Sequence, residues 1–229
     1  MEEKKASLNR LFSYTIPIDD GSAPNPFYEV CTLAICKPRI RSVAKIGDWI
    51  AGLGGKNVQN RDLSGHLVYA MRIDEVLTLS EYDQMAPQKW PKKIPNIKSL
   101  CLVDRLGDCI YDYSSGQPKQ RPSVHREGNI QTDLSGKNVL ISYHFFYFGS
   151  RAIPLPEHLK PICHQTSGHK STINAPYFEP FVDWIENLGK GIGQIHGWPD
   201  FIIDWEASDS NCACFIRQKD DEEDKEVGN

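Results

Sequence analysis

Lys37, Arg39 and Arg41 stand at alternate positions in the run CKPRIR, Lys45 follows, and no acidic residue lies among them. Cations this close together can hold a small number of phosphate oxygens through charge-assisted hydrogen bonds. Amide and aromatic side chains flank the run, with Asn25 and Phe27 before it and Trp49 and Tyr69 after it. An amide pairs with the edge of a base, and a ring stacks on its face. The first expectation is therefore a binding site for a nucleotide or an extruded base. Lys37, Arg39 and Arg41 would lie on phosphate, Asn25, Asp48 and Trp49 at the base, and Phe27 and Tyr69 would be further walls.

A second chemistry requires turnover. Asp48 or Asp108 as general base or nucleophile, with His125 or His144 carrying protons, would make the chain an enzyme acting on a nucleotide or a modified base. The catalytic assignment stays open among these four, because no familiar spacing is present. The chain has no GxxxxGK[ST], no HxE with CxxC, no GxGxxG and no GxSxG. Structural roles compete with these: a core histidine at position 144, and a packed ring at position 27. A third expectation is an adaptor that meets a partner protein through its acidic tail or the helix carrying Trp184.

The elements that must position these groups are mostly strands. Residues 30–36 form an apolar, β-branched run, expected to be a buried strand that delivers the cations as a rim. Residues 46–50 turn through Gly47-Asp48 into a second strand, and Gly52, Gly54 and Gly55 let backbone bend or a ligand approach. Residues 11–18 alternate as a first strand, which Pro17 confines to an edge or to the strand's end. Two prolines stiffen the loop at 21–27. A further strand is expected at 67–76, then a helix start that Ser80 would cap. Lys89, Lys92, Lys93 and Lys98 surround Trp90 as a second basic patch, and 114–131 reads as a loop holding His125. Residues 139–149, VLISYHFFYFG, read as one central strand with His144 in its middle. Phe181, Trp184, Ile185 and Leu188 give 180–188 a helical face, and 195–205 is expected to close the core as a turn and a strand. The pattern predicts an α+β fold, mostly antiparallel and barrel-like at its core, with a few peripheral helices and long loops.

At 229 residues with 40% hydrophobic composition, the chain can bury a core without disulfides. A single β-rich domain over 1–218 is expected, ahead of a disordered acidic tail at 219–229. That tail carries six acids against two lysines, so the net charge of -4 leaves the body formally neutral. A neutral body excludes non-specific coating of nucleic acid, which depends on releasing many counterions. The charged start MEEKKASLNR and the lack of about 20 consecutive apolar residues predict a cytoplasmic protein without membrane contact. Seven cysteines without an export signal read as reduced thiols. Cys163, His164, His169, Cys212 and Cys214 lack the paired spacing of a zinc site, so neither metal nor other cofactor is expected.

Several motifs carry a family resemblance: Asp20-Gly21-Ser22-Ala23-Pro24-Asn25-Pro26, Cys31-Thr32-Leu33-Ala34, Cys36-Lys37-Pro38-Arg39-Ile40-Arg41, the 44–50 turn, 67–72, Gly107-Asp108 with Ile110-Tyr111, and 139–149. Together they span about 11–156 and resemble the nucleotide modification associated domain 2 family, a bacterial and phage group. The helix at about 179–189 belongs to a C-terminal extension. The resemblance implies a role beside enzymes that make or handle modified bases in DNA, in phage–host conflict. It implies nucleotides, or nucleic acid with a modified base, as partners, and a DNA-modification enzyme as a neighbour. The Gly-Asp turn and its following strands are also similar to PUA-like barrels of the EVE, ASCH and YTH kinds, which implies a flipped base held among aromatic walls.

Overall fold

The computed structural model describes residues 9–56, 61–164 and 168–200. In chain order the strands are β1 (Leu11–Ile16), β2 (Cys31–Leu33), β3 (Trp49–Gly54), β4 (His66–Arg72), β5 (Glu75–Thr78), β6 (Tyr111–Asp112), β7 (Lys119–Gln120), β8 (Asn138–Ser142), β9 (His144–Tyr147), β10 (Ile153–Pro154), β11 (His169–Lys170) and β12 (Gln194–Ile195). The α-helices are α1 (Pro38–Val43), α2 (Leu79–Lys89), α3 (Leu102–Arg105), α4 (Ile130–Ser135) and α5 (Phe178–Glu186). The fold is α+β. The acidic tail, Cys212 and Cys214, and the expected strand beyond residue 200 lie outside the described residues.

The larger sheet runs β11-β1-β3-β4-β9-β12 with β10 also on β4, and a smaller one runs β2-β8-β5. Pairing is antiparallel except for β1 with β3 and β9 with β12. Among the described residues the larger sheet is an open path, which corrects the expectation of a barrel. Strand alternation then builds layers. Trp49, Ala51 and Leu53 face α5, where Phe181 and Ile185 meet them, while Ile50 points to the opposite face with Phe12, Tyr14 and Phe145. Cys31, Leu33 and Leu140 of the smaller sheet close that second layer. Val139 and Ile141, from alternate positions of β8, face Tyr82 and Ala86 of α2.

Two expected strands are each broken in two at the corner between the sheets. The 67–76 run divides into β4 and β5, and 139–149 into β8 and β9, so the same two segments pair in both sheets. Asp74 fastens this corner: its backbone N–H donates to the Ile141 carbonyl at 2.9 Å, and its Oδ2 accepts from the N–H of Tyr143 at 2.7 Å and of His144 at 3.1 Å. His144 therefore begins a strand instead of sitting mid-strand. The 30–36 run is strand only over Cys31–Leu33, and Pro38 opens a helix at the first-turn position that tolerates its missing N–H. Thr78, not Ser80, caps α2, in a reciprocal capping box with Glu81. No helix among the described residues is long and apolar enough to cross a membrane.

The second basic patch is divided by burial. Lys89 and Lys92 lie at the surface against Glu75 and Asp104. Lys93 is fully buried, and its ammonium donates to the Asn25 carbonyl at 2.8 Å, Asn25 Oδ1 at 2.6 Å and the Val30 carbonyl at 2.8 Å. Burial pushes it down to about 8, against the opposing field of Asp108. Lys93 thus pins the Pro-Asn-Pro loop to the start of β2. Lys93→Met removes the ammonium from three oxygens, of which only the Asn25 carbonyl keeps another donor, the Thr32 N–H. It is expected to cost about 3 kcal/mol, read as a lower urea midpoint at pH 7; an unchanged midpoint contradicts the pin.

Candidate active site

Where β2 hands over to α1, Cys36 and Lys37 both take left-handed backbone, at φ 58° and 44°. Neither is glycine, and each such residue costs on the order of 1–3 kcal/mol unless its surroundings hold it. Here they do: the Cys36 N–H donates to Asp133 Oδ1 at 3.1 Å, and Arg41 Nε donates to the Cys36 carbonyl at 2.7 Å. So held, the Cys36 Sγ lies 3.4 Å from His125 Nε2. His125 Nδ1 lies 2.6 Å from Asp133 Oδ2, which also accepts the Tyr111 hydroxyl at 2.9 Å. Cys36 is 4% exposed, His125 3% and Asp133 0%.

Thiol, imidazole and carboxylate stand in the order in which a nucleophile, its base and the group orienting that base are arranged in enzymes that use such a set. With Asp133 accepting from Nδ1–H, Nε2 is left to take the thiol proton. Burial by itself would raise the Asp133 carboxyl. The field and hydrogen bond of His125, then Arg41 and the Cys36 N–H, outweigh it and hold the carboxyl below its ordinary value. Arg41 is itself buried and spans the site, with further bonds to the carbonyls of Asn138, at 2.8 Å, and Asp133. Gly136 makes room for that guanidinium, since a Cβ there would collide with it.

Of the groups expected to do chemistry, only His125 sits in this centre, with Lys37 and Arg41 beside it. Arg41 is committed to carbonyls, which corrects its expected place on phosphate. Lys37 is buried with its ammonium 4.8 Å over the Tyr14 ring, and Tyr69, also buried, meets the Tyr14 hydroxyl at 2.9 Å. Arg39 alone of the three cations is exposed, lining a hollow of about 250 Å³ with Ser42, Ser135 and His169. Asn25 donates to the Gly21 and Leu106 carbonyls, and Phe27 packs inside against Trp198. Trp49 is 2% exposed and edge-on to His144 and Phe181, a core ring that also borders an open hollow of about 440 Å³ beside Gly47, Arg72 and Glu186. Asp48 closes its turn by accepting from the N–H groups of Arg10 and Lys45. Asp108 accepts from Thr32 and Tyr82, and burial raises its pKa. His144 Nε2 lies 3.3 Å from Glu186 Oε1 without hydrogen-bond geometry; burial, then Arg72, lowers its pKa.

Cys36 and Asp133 escape sequence reasoning because the first reads as strand interior and the second follows an apparent loop. No local spacing marks the set, because His125 lies in a bend ahead of α4 and Cys36 is 97 residues from Asp133.

The layered α+β fold encloses a buried thiol–imidazole–carboxylate cluster. The chain belongs to the nucleotide modification associated domain 2 family, whose model matches residues 8–209, beyond the 11–156 stretch that carries the resemblance in sequence. No curated protein and no solved structure matches it.

A carboxyl held low in the folded state contributes stability above its unfolded value, about pH 4, and that contribution is lost as pH falls through the folded value. Asp133→Asn is therefore expected to flatten the acid limb of a plot of urea midpoint against pH. An acid limb identical to that of the unaltered protein contradicts the assignment.

Proposed function

We propose that the chain is an enzyme of nucleotide modification that uses Cys36 as a nucleophile on a nucleotide or on a base within nucleic acid. The observation that carries this reading is the continuous path from Cys36 Sγ through His125 to the buried Asp133. His125 Nε2 takes the thiol proton as Sγ bonds to the substrate carbon. The same imidazolium then returns that proton to the leaving group, and water resolves the adduct by the reverse route. Asp133 keeps the imidazole in the required tautomer and does not itself take the proton. The family description supports nucleotides as the substrate class. Binding without turnover is less well supported, because Trp49, Asn25, Tyr69 and Arg41 are held in the protein interior by contacts of their own.

Iodoacetamide tests the nucleophile directly, with exposed Cys101 as an internal reference. Peptide mass spectrometry at pH 7 is expected to show Cys36 alkylating faster than Cys101. His125→Gln should slow Cys36 by about 100-fold and leave Cys101 unchanged. Cys36 labelling that ignores the histidine removes the reading, as does turnover of mononucleotides or hypermodified DNA that persists in Cys36→Ala.

A further inference from the structure

At the start of β3, on the face that α5 covers, the open hollow of about 440 Å³ is lined by Ile46 and Gly47 of the turn and by Phe178, Val182 and Glu186 of α5. It shares no lining residue with the Cys36 centre. Ile46 is 65% exposed, Phe178 and Val182 are partly buried, and the edge of Trp49 borders the same space, so the walls are apolar. The charges around it are unequally committed. Arg72 and Asp74, also in the lining, satisfy each other: Arg72 Nε and Nη2 donate to Asp74 Oδ1 at 3.1 and 2.9 Å, and Asp74 Oδ2 accepts the N–H groups of Tyr143 and His144. Glu186 is exposed, and its one polar contact among the described residues is His144 Nε2, 3.3 Å from Oε1 without hydrogen-bond geometry. That Nε2 is itself buried and has no hydrogen-bond partner among the described residues. An orphaned imidazole nitrogen beside an uncommitted carboxylate, at the edge of a hollow, calls for an outside group that serves both.

We propose that this hollow binds a guanine nucleotide, with the base between Ile46 and the α5 side chains and its pairing edge on Glu186 and His144. The adjacent N1–H and N2–H of guanine donate to the two carboxylate oxygens, and O6 accepts from His144 in the tautomer that carries its proton on Nε2. Adenine would set an acceptor against the carboxylate and a donor against that N–H, a mismatch at both positions. A guanidinium side chain offers the same pair of donors, but it leaves apolar walls uncovered in a space of this size. The phosphate leaves the hollow past exposed Lys45, because the exposed Glu179 and Asp183 of α5 repel it on the other side. The inference does not rest on the Cys36 reading; it gives the chain a second place that recognises a nucleotide.

Calorimetric titration at pH 7 with guanosine, inosine and adenosine monophosphates reads the edge group by group. The guanosine ligand is expected to bind, the inosine ligand, which lacks the 2-amino donor, about 10-fold more weakly, and the adenosine ligand about 100-fold more weakly. Glu186→Gln, at the exposed end of α5, should weaken the guanosine ligand by about 10-fold or more and leave the thermal midpoint unchanged. His144→Phe keeps a ring against Trp49 and removes the O6 donor, so it should narrow the gap between guanosine and adenosine ligands. Cys36→Ala should bind like the unaltered protein; loss of binding there places the ligand at Cys36 and overturns the hollow as its site. No binding of guanosine monophosphate at millimolar concentration, equal binding of adenosine monophosphate or of N-acetyl-argininamide, or an affinity unmoved by Glu186→Gln overturns the proposal as well.

Discussion

The carboxylate of Asp133 is the constraint on which the rest depends. Removing such a charge from water is costly, and the cost is met only when donors surround it. Here His125, Tyr111 and the Cys36 N–H donate to it, with the Arg41 guanidinium on its helix's own carbonyl. Each donor comes from a different part of the chain. Satisfying this one charge therefore fixes where α1, α4, β6 and the loop bearing His125 meet. An ion pair such as Lys160 with Glu157 sits in solvent and constrains little by comparison.

The two sheets supply the rigidity this arrangement needs. Because β4 with β5 and β8 with β9 turn the same corner together, the smaller sheet is anchored to the larger along two paired segments, with Asp74 as the clasp. Hydrophobic layers on both faces then hold β2 in place between Leu140 and the β1 side chains. The strained backbone at Cys36 and Lys37 leaves this fixed strand directly, so the thiol's position is set by packing on one side and by hydrogen bonds on the other. Lys93 performs an analogous task upstream, where a buried ammonium holds the loop around Asn25.

Much of the fold is legible in the sequence, because alternation and helical periodicity report burial directly. Strand β1, the Gly47-Asp48 turn into β3 and the Phe181–Ile185 face of α5 follow from it. Periodicity cannot show where a continuous apolar run bends between sheets, since both halves remain apolar; hence the breaks at Ile73-Asp74 and Tyr143 were invisible. The site was less legible for a related reason. Side-chain type indicates what a residue can do, yet Arg41, Lys93, Trp49 and Asn25 have the same types whether they face a ligand or a carbonyl. Asp133, which accepts the Cys36 N–H, lies 97 residues from it, a separation that no local pattern spans.

That separation has a kinetic side. Cys31 to Leu33 find their register only on residues 140–142, and parallel β1 and β3 must also close a long loop. Contacts of this kind give a high contact order and slow assembly. During synthesis the segment around Cys36 leaves the ribosome well before either its imidazole or its carboxylate exists. The Cys36–His125–Asp133 cluster is therefore assembled late, and a nascent or prematurely terminated chain carries an isolated cysteine at that position.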